Sequence, residues 1–291
     1  MRFKVLVNTM LIHFIGLMTF PVWAGTQFYS ADIHDANWRS SGDRLECRLS
    51  QDIPGYGQAL FKHRALQSME FRVSVRDNPR KSSQALLYVA PPNWKRFSNR
   101  KVLGRVAVST TDDGTIVVPE DWAYRVAYEM REGMETVWTH SDWADGQDLI
   151  VAKIRPLRFN SAWDDFKECT ANLIDYGYED VRFSSFFFSK NSMNLSRAEK
   201  AKLDKLAEYV SIDRDFQYIK ISSHTDSRGL RKINKAVAAK RANLVKNYLV
   251  KQGVSPKRFV ILAKGEVKPK YNNRTASGRA KNRRVEISLV K

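Results

Sequence analysis

A chain of 291 residues with 49 Lys and Arg against 31 Asp and Glu carries a net charge of +18, and that charge is unevenly divided. Residues 181–291 hold 27 basic against 8 acidic side chains, a net +19, whereas residues 25–180 hold 20 against 23, a net −3. Length and asymmetry together argue against a single domain and for two units with different partners.

The chain opens with the basic "MRFK", continues with a mostly apolar run over residues 5–22 and reaches "VWA" before Gly25. This tripartite pattern predicts a secretory signal peptide over residues 1–24, cut after Ala24, and an exported mature chain of 267 residues. The alternative is an uncleaved membrane anchor, although Asn8 and His13 interrupt the apolar run. No cysteine at the cut offers a lipid anchor, and no later stretch approaches the roughly 20 apolar residues of a spanning helix, so a soluble mature protein is expected. Export makes nucleic acid an unsuitable partner for the basic unit. Wall peptides and lipid headgroups are the polyanions left, and a solvated basic face with no single partner is the alternative.

Residues 25–180 are expected to form a β-rich assembly or partner-binding unit that ends in a short helix and linker. Its two cysteines, Cys47 and Cys169, form an even pair in an oxidising compartment and predict a disulfide, two free thiols being the alternative. Closing a loop of 122 residues (169 minus 47) would stabilise the fold by about 4 to 5 kcal/mol on chain entropy. "MEFRVSVRD" alternates Phe71, Val73 and Val75 with Arg72, Ser74 and Arg76, the pattern of a half-buried strand. "SQALLYVAPP" predicts a strand ended by its prolines. "KVLGRVAVSTTDDGTIVVPEDW" predicts a hairpin, with Val106 and Val108 before an Asp112, Asp113, Gly114 turn and Ile116 and Val118 after it. "METVWTH" and "QDLIVAKIRPLRF" supply two further strands, and residues 25 to about 155 as a whole read as strands and turns. Many short strands imply a β barrel-like or sandwich unit. "NSAWDDFKECTANL" then reads as a helix with Trp163, Phe166 and Cys169 on one side.

No catalytic residues are assigned, and neither a metal nor another cofactor is expected. His34, His63, His140 and His224 are scattered without ligand spacing, and no nucleophile with a base or Gly-rich phosphate loop is present. Asp164, Asp165 and Glu168 bring carboxylates together as a wall-targeted hydrolase would need, but at helical spacing they read as a solvated face. Trp94, Trp122, Trp138 and Trp143 are either core residues or interface anchors.

Residues 181–291 predict an α/β sandwich. "RFSSFFFSKNSMNL" is a strand and turn. "SRAEKAKLDKLAEYV" is a helix capped by Ser196 with Glu199 three residues on, and Leu203, Leu206 and Val210 form its stripe. "FQYIKISSHTD" is a strand, and "KINKAVAAKRANLVKNYLVKQG" is a long helix stopped at Gly253. "PKRFVILAKGE" is a strand, "NRTASGRAKN" a short helix and "RRVEISLVK" a final strand. The order is βαβαβ, then a helix and a strand.

On the long helix Asn234, Val237, Ala238, Arg241, Leu244, Val245 and Tyr248 share a face by their spacing of three and four. Arg241 thus sits on an otherwise packing stripe, beside the end of the strand that finishes at Asp226. An uncompensated buried charge costs several kcal/mol, so the guanidinium needs either a partner or a solvated cleft. The residues leave two readings open: an Asp226 to Arg241 salt bridge, or the two charged halves of a site for a small zwitterion.

"HTDSRG", then "N..VA..RA..V..YL...GV", then "KGE..P..NN.T..GRA.NRRVE" closely resemble the OmpA-like peptidoglycan-binding domain over residues 181–291. The resemblance implies a site for diaminopimelate, the zwitterionic amino acid of the wall peptide stem. It implies that Asp226 accepts hydrogen bonds from the ammonium, that Arg241 grips the carboxylate, that Thr225 and Asn234 orient the ligand, and that Asn282 with Arg283 or Arg284 closes the pocket. This chain departs from the common Leu-Ser at Val237 and Ala238, and from the usual loop at "AKGE", residues 263–266. A small pocket read by a few charged hydrogen bonds implies weak binding per copy, made firm by many copies in one assembly.

The whole chain, by "ECRLSQDIPGYGQALF", "DFKECTANL" and its length, is similar to the family of periplasmic MotY proteins of the sodium-driven polar flagellar motor. That resemblance implies a periplasmic, non-enzymatic linker. Its first unit would meet the partner MotX and the flagellar basal body, its second unit would grip peptidoglycan, and multiple copies in a ring would hold the sodium-driven stator complex indirectly. The alternatives are a wall hydrolase merely localised by its second unit and a general envelope anchor with no motor role.

Overall fold

The computed structural model describes residues 25–76, 83–95, 99–108, 115–143, 146–213 and 215–291. The signal peptide expected over residues 1–24 and the turn expected at Asp112, Asp113 and Gly114 lie outside the described residues.

The first unit runs β1 (Thr26–Ser30), β2 (Arg39–Gly42), β3 (Glu46–Ile53), β4 (Gly57–Arg64), β5 (Glu70–Val75), β6 (Ser83–Ala90), β7 (Lys101–Val108), β8 (Thr115–Val117), α1 (Glu120–Arg131), β9 (Glu135–Ser141), β10 (Leu149–Ile154) and α2 (Phe159–Ala171). The strands form two five-stranded sheets, ordered β2-β3-β4-β5-β8 and β1-β10-β9-β6-β7. Leu49, Phe61 and Phe71 from the first meet Leu87, Trp138 and Ala152 from the second in one core. The unit is therefore layered over a shared interior, and its sheets do not close into a barrel. Along β5 the expected alternation holds, with Phe71, Val73 and Val75 buried.

Two expectations for this unit are corrected. β7 and β8 are not a hairpin: β7 pairs with β6 in one sheet, whereas β8 pairs with β5 in the other. Alternation at Val106, Val108, Ile116 and Val118 reports only that each segment has one buried side, and both sheets face the same core. Nor are residues 25 to 155 all strands and turns, because α1 lies among them. Ala123, Val126, Ala127 and Met130 give it an apolar stripe at helical spacing that packs into the core. Trp138 is also core and Trp122 and Trp143 pack against it, while Trp94 is 64% exposed.

Cys47 on β3 and Cys169 on α2 are joined in a disulfide, Cα to Cα 6.0 Å. Gly42, paired with Cys47, passes so close that an added Cβ would lie 2.8 Å from the Cys169 sulfur. The carboxylates of α2 are exposed, and Asp164 pairs with Lys167 one turn on.

The second unit comprises α3 (Tyr178–Val181), β11 (Phe183–Phe187), α4 (Arg197–Ile212), β12 (Tyr218–His224), α5 (Arg231–Lys251), β13 (Phe259–Gly265), α6 (Ala276–Asn282) and β14 (Arg284–Val290). Its sheet has the order β11-β14-β12-β13, parallel between β12 and β13 and antiparallel elsewhere. Ser196 caps α4 as expected: its hydroxyl accepts from the Glu199 amide at 3.2 Å, and the Glu199 carboxylate accepts from the Ser196 amide at 2.7 Å. Leu203, Leu206, Val245 and Leu249 of the helices close on Ile219, Ile221, Val285 and Ile287 of the sheet. This core begins at Ile174, and Leu45 and Ala65 of the first unit pack against it. The Ile174 amide also donates to the Arg44 carbonyl at 2.9 Å, while the Arg44 guanidinium meets Glu208 on α4. Among the described residues no helix is long and apolar enough to cross a membrane.

Candidate functional site

Where β12 ends, a register shift between Ser223 and His224 sets His224 opposite Gly265, and the next amide, that of Thr225, donates to the Gly265 carbonyl at 2.8 Å. The chain turns at Asp226, whose Oδ1 accepts from the Arg228 amide at 3.1 Å. The α5 stripe passes alongside. Asn234 and Arg241 are buried on it, as their spacing predicts. Arg283 reaches the same place from the residue between α6 and β14.

The charges pair differently from either bare reading of the sequence. Asp226 Oδ2 lies 2.9 Å from Arg283 Nη1, and Arg283 Nε donates to the Phe188 carbonyl at 3.0 Å. Arg241 is only 2% exposed, yet among the described residues it forms no ion pair. Its Nε donates to the Ser192 carbonyl at 3.3 Å, and its Nη2 to the Ser189 and Ser192 carbonyls, each at 3.2 Å. The guanidinium also lies over the Phe188 ring, 4.8 Å from its centre. Burial is the main influence lowering its pKa. The positive charge of Arg283 adds to that effect, and the negative charge of Asp226 opposes it.

The remaining candidates divide. Asn234 Nδ2 donates to the Asp226 carbonyl at 3.4 Å and to the Glu266 carboxylate, tying the site to the turn after β13. Thr225 Oγ1 is buried and, among the described residues, meets no hydrogen-bond partner. Asn282 is fully occupied elsewhere. Its Oδ1 accepts from the amides of Lys270 and Tyr271 at 3.1 and 3.0 Å, and its Nδ2 donates to Tyr271 O and Asn273 Oδ1 at 2.7 and 2.8 Å. It shapes a loop and does not close the pocket. Arg284 does not close it either, for its Nε pairs with Glu286 Oε1 at 2.9 Å. Successive side chains of an extended chain point oppositely, so of the two arginines only Arg283 faces Asp226.

Sequence reasoning did not single out Phe188, Ser189 or Ser192, and it named Glu266 only within the loop at residues 263–266. The two serines act through backbone carbonyls, which every residue possesses, so no side-chain pattern marks them. Glu266 closes the departing loop at residues 263–266, and nothing in that pattern marked it as a partner of Asn234. Among the described residues no cluster of His, Cys, Asp and Glu could hold a metal.

Comparison with known proteins sorts the two units. Residues 29–174, half of the chain, match the family model of the MotY N-terminal domain, and residues 187–283 match that of the OmpA family. The sodium-type flagellar protein MotY of Vibrio parahaemolyticus is 26% identical over 247 residues, covering 84% of this chain and 84% of that protein. The second unit alone is 38% identical to outer membrane protein A of Bordetella avium over 104 residues, 36% of this chain and 53% of that protein. A solved structure of the peptidoglycan-associated lipoprotein from Burkholderia pseudomallei is similar over 36% of this chain and 88% of its own, with 29% identity and a TM-score of 0.34. These relatives are structural proteins of the flagellar motor and the cell envelope and not enzymes. Because the first match spans half of the chain and the second takes up behind it, this chain belongs to the MotY N-terminal domain family and carries an OmpA family domain after it.

Proposed function

We propose that the protein is a periplasmic linker that joins the flagellar basal body ring to peptidoglycan and helps to hold sodium-driven stator units around the rotor. The observation carrying this reading is Arg241: a buried guanidinium satisfied by backbone carbonyls and an aromatic face, with no carboxylate of its own among the described residues. Such a group gains from meeting an anion that can use its planar fork. Asp226, Arg241 and Arg283 sum to one positive charge, which favours a ligand whose carboxylate side predominates.

Diaminopimelate of the wall peptide stem fits this chemistry. Its carboxylate replaces the Ser189 and Ser192 carbonyls on Arg241. Its ammonium approaches Asp226, which has acceptor capacity beyond Arg283 and the Arg228 amide. The Thr225 hydroxyl, buried without a partner among the described residues, gains a hydrogen bond from the same ligand. One such site binds weakly, and multiple copies in a ring supply the hold. The first unit supplies the motor side of the link, meeting the basal body and MotX, with exposed Trp94 as a candidate anchor.

Incubation of the purified protein with wall sacculi tests the linker. Pelleting without soluble products is expected, and release of glycan or peptide would overturn it in favour of a hydrolase. A deletion strain with an intact envelope should swim poorly, and normal swimming would remove the motor role.

A further inference from the structure

A recess lies near the Asp226 turn, linked to it by Asn234. It occupies about 240 Å³ between the start of α5 and the end of β13, and its ionisable lining is Arg231 and Lys235 from the helix, Lys264 from the strand and Glu266 from the turn beyond. Gly265 forms its back wall at φ +60°, where an added Cβ would lie 3.2 Å from the Lys235 amide nitrogen, so glycine lets the helix start close on the strand. Among the described residues, Arg231, Lys235 and Lys264 form no ion pair, whereas Glu266 is engaged by Asn234 Nδ2. Three unpaired cations thus converge on a recess whose single carboxylate is already occupied, leaving the cleft with a net charge of +2. A recess of this charge attracts an anion, and its volume suits a carboxylate-bearing group of a few heavy atoms.

We propose that this cleft is a second subsite that binds a carboxylate of the wall peptide next to diaminopimelate, so that the protein reads an acidic peptide stem and not one amino acid alone. The inference rests on the diaminopimelate reading of the Asp226 and Arg241 site. Asn234 supplies the physical link, since its side-chain amide donates both to the Asp226 carbonyl and to Glu266. Through this one side chain the recess adjoins the turn that carries Asp226. A membrane of anionic lipids is the competing source of negative charge, but it would meet a flat face more readily than a recess between two elements.

The test is titration calorimetry of the full chain with three probes. These are free diaminopimelate, the tripeptide alanyl-γ-glutamyl-diaminopimelate with its glutamyl α-carboxylate free, and the same tripeptide with that carboxylate amidated. The acid tripeptide is expected to bind about tenfold more tightly than the amide, the effect of one charge-assisted contact. The double substitution Lys235→Ala, Lys264→Ala is expected to abolish that ratio and leave binding of free diaminopimelate unchanged. Equal affinity for acid and amide in the unsubstituted protein would overturn the subsite, as would a ratio that survives the double substitution. Loss of free diaminopimelate binding in the double variant would also overturn it, by merging the two clefts into one. Failure of the unsubstituted protein to bind free diaminopimelate counts separately, against the Asp226 and Arg241 reading. Sedimentation with phosphatidylglycerol vesicles that the double substitution abolishes, with no preference for the acid tripeptide, would assign the cleft to membranes instead.

Discussion

Asp226 is paired with Arg283, Oδ2 to Nη1 at 2.9 Å, while Arg241 on the neighbouring helix is satisfied by the carbonyls of Ser189 and Ser192. One carboxylate thus holds one arginine and leaves the other to backbone carbonyls. The two arginines raise each other's energy, and Asp226 offsets that repulsion.

This arrangement orders the stability effects of two truncations. Asp226→Ala leaves a buried and a half-buried cation without their anion, whereas Arg283→Ala leaves Asp226 still within electrostatic reach of Arg241. The first should destabilise the second unit by about 2 to 3 kcal/mol and the second by about 1 to 2, below the full loss of a buried pair because both side chains keep some solvent contact. Urea denaturation of both variants measures this. A larger loss for Arg283→Ala would contradict the charge assignment.

Binding and stability should separate at Arg241. Arg241→Met keeps the length and removes a desolvated charge, so the fold should hold within about 2 kcal/mol while sacculus binding disappears. Arg241→Lys keeps the charge and loses the planar fork, so binding should weaken at least about tenfold. Co-sedimentation with sacculi read beside thermal unfolding decides the point. Parallel loss of both properties would make Arg241 a structural residue.

Acid should weaken both units through one histidine in each. Burial is the main influence pushing His140 and His224 below the ordinary histidine pKa. At His140 the Ser141 carbonyl and Asp142 oppose it; at His224 Arg284 and Lys264 reinforce it and Glu286 opposes it. The unfolded chain therefore takes up these protons first as pH falls. Stability is fully present above the unfolded value of 6.5 and declines as pH drops toward the lowered native values, by up to about 1.4 kcal/mol per pH unit for each histidine. Unfolding scans between pH 7.5 and 5 should be flatter for the His140→Gln, His224→Gln double variant. An equally steep profile would show that other groups carry the dependence.

Reduction should act on the first unit. The Cys47 to Cys169 bond closes 122 residues and fastens α2, the element that leads into the second unit, to β3. Replacing both cysteines by serine should cost about 3 to 5 kcal/mol. Loss of the first unit's transition at a temperature where the oxidised protein is folded is the expected readout, and an unchanged transition temperature would show that the core holds without the bond.

Much of this protein was legible in the order of its residues, because periodicity records which side of an element is buried. The alternation of Phe71, Val73 and Val75, the cap of Ser196 and Glu199, and the stripe carrying Asn234 and Arg241 all state a local fact that the fold keeps. The motif from His224 to Arg284 named Asp226 and Asn234 together with either Arg283 or Arg284, and left open which arginine meets the aspartate. Periodicity says nothing of which layer a buried side faces, so β7 and β8 went to different sheets although their pattern suited a hairpin. α1 was passed over in a region dominated by alternating strands, although its stripe was present at Ala123, Val126, Ala127 and Met130.

Partner choice belonged to the tertiary structure alone. Asp226 had two or three arginines within plausible reach by sequence, and only the direction of the chain entering β14 turns Arg283 toward it and Arg284 toward Glu286. Arg241 rests on carbonyls from a loop some fifty positions earlier, and a carbonyl carries no residue identity to be read in advance. Charge type is written in the side chains, but whether a charge is spent or available depends on distances of a few ångströms that the packing of α5 against the sheet sets.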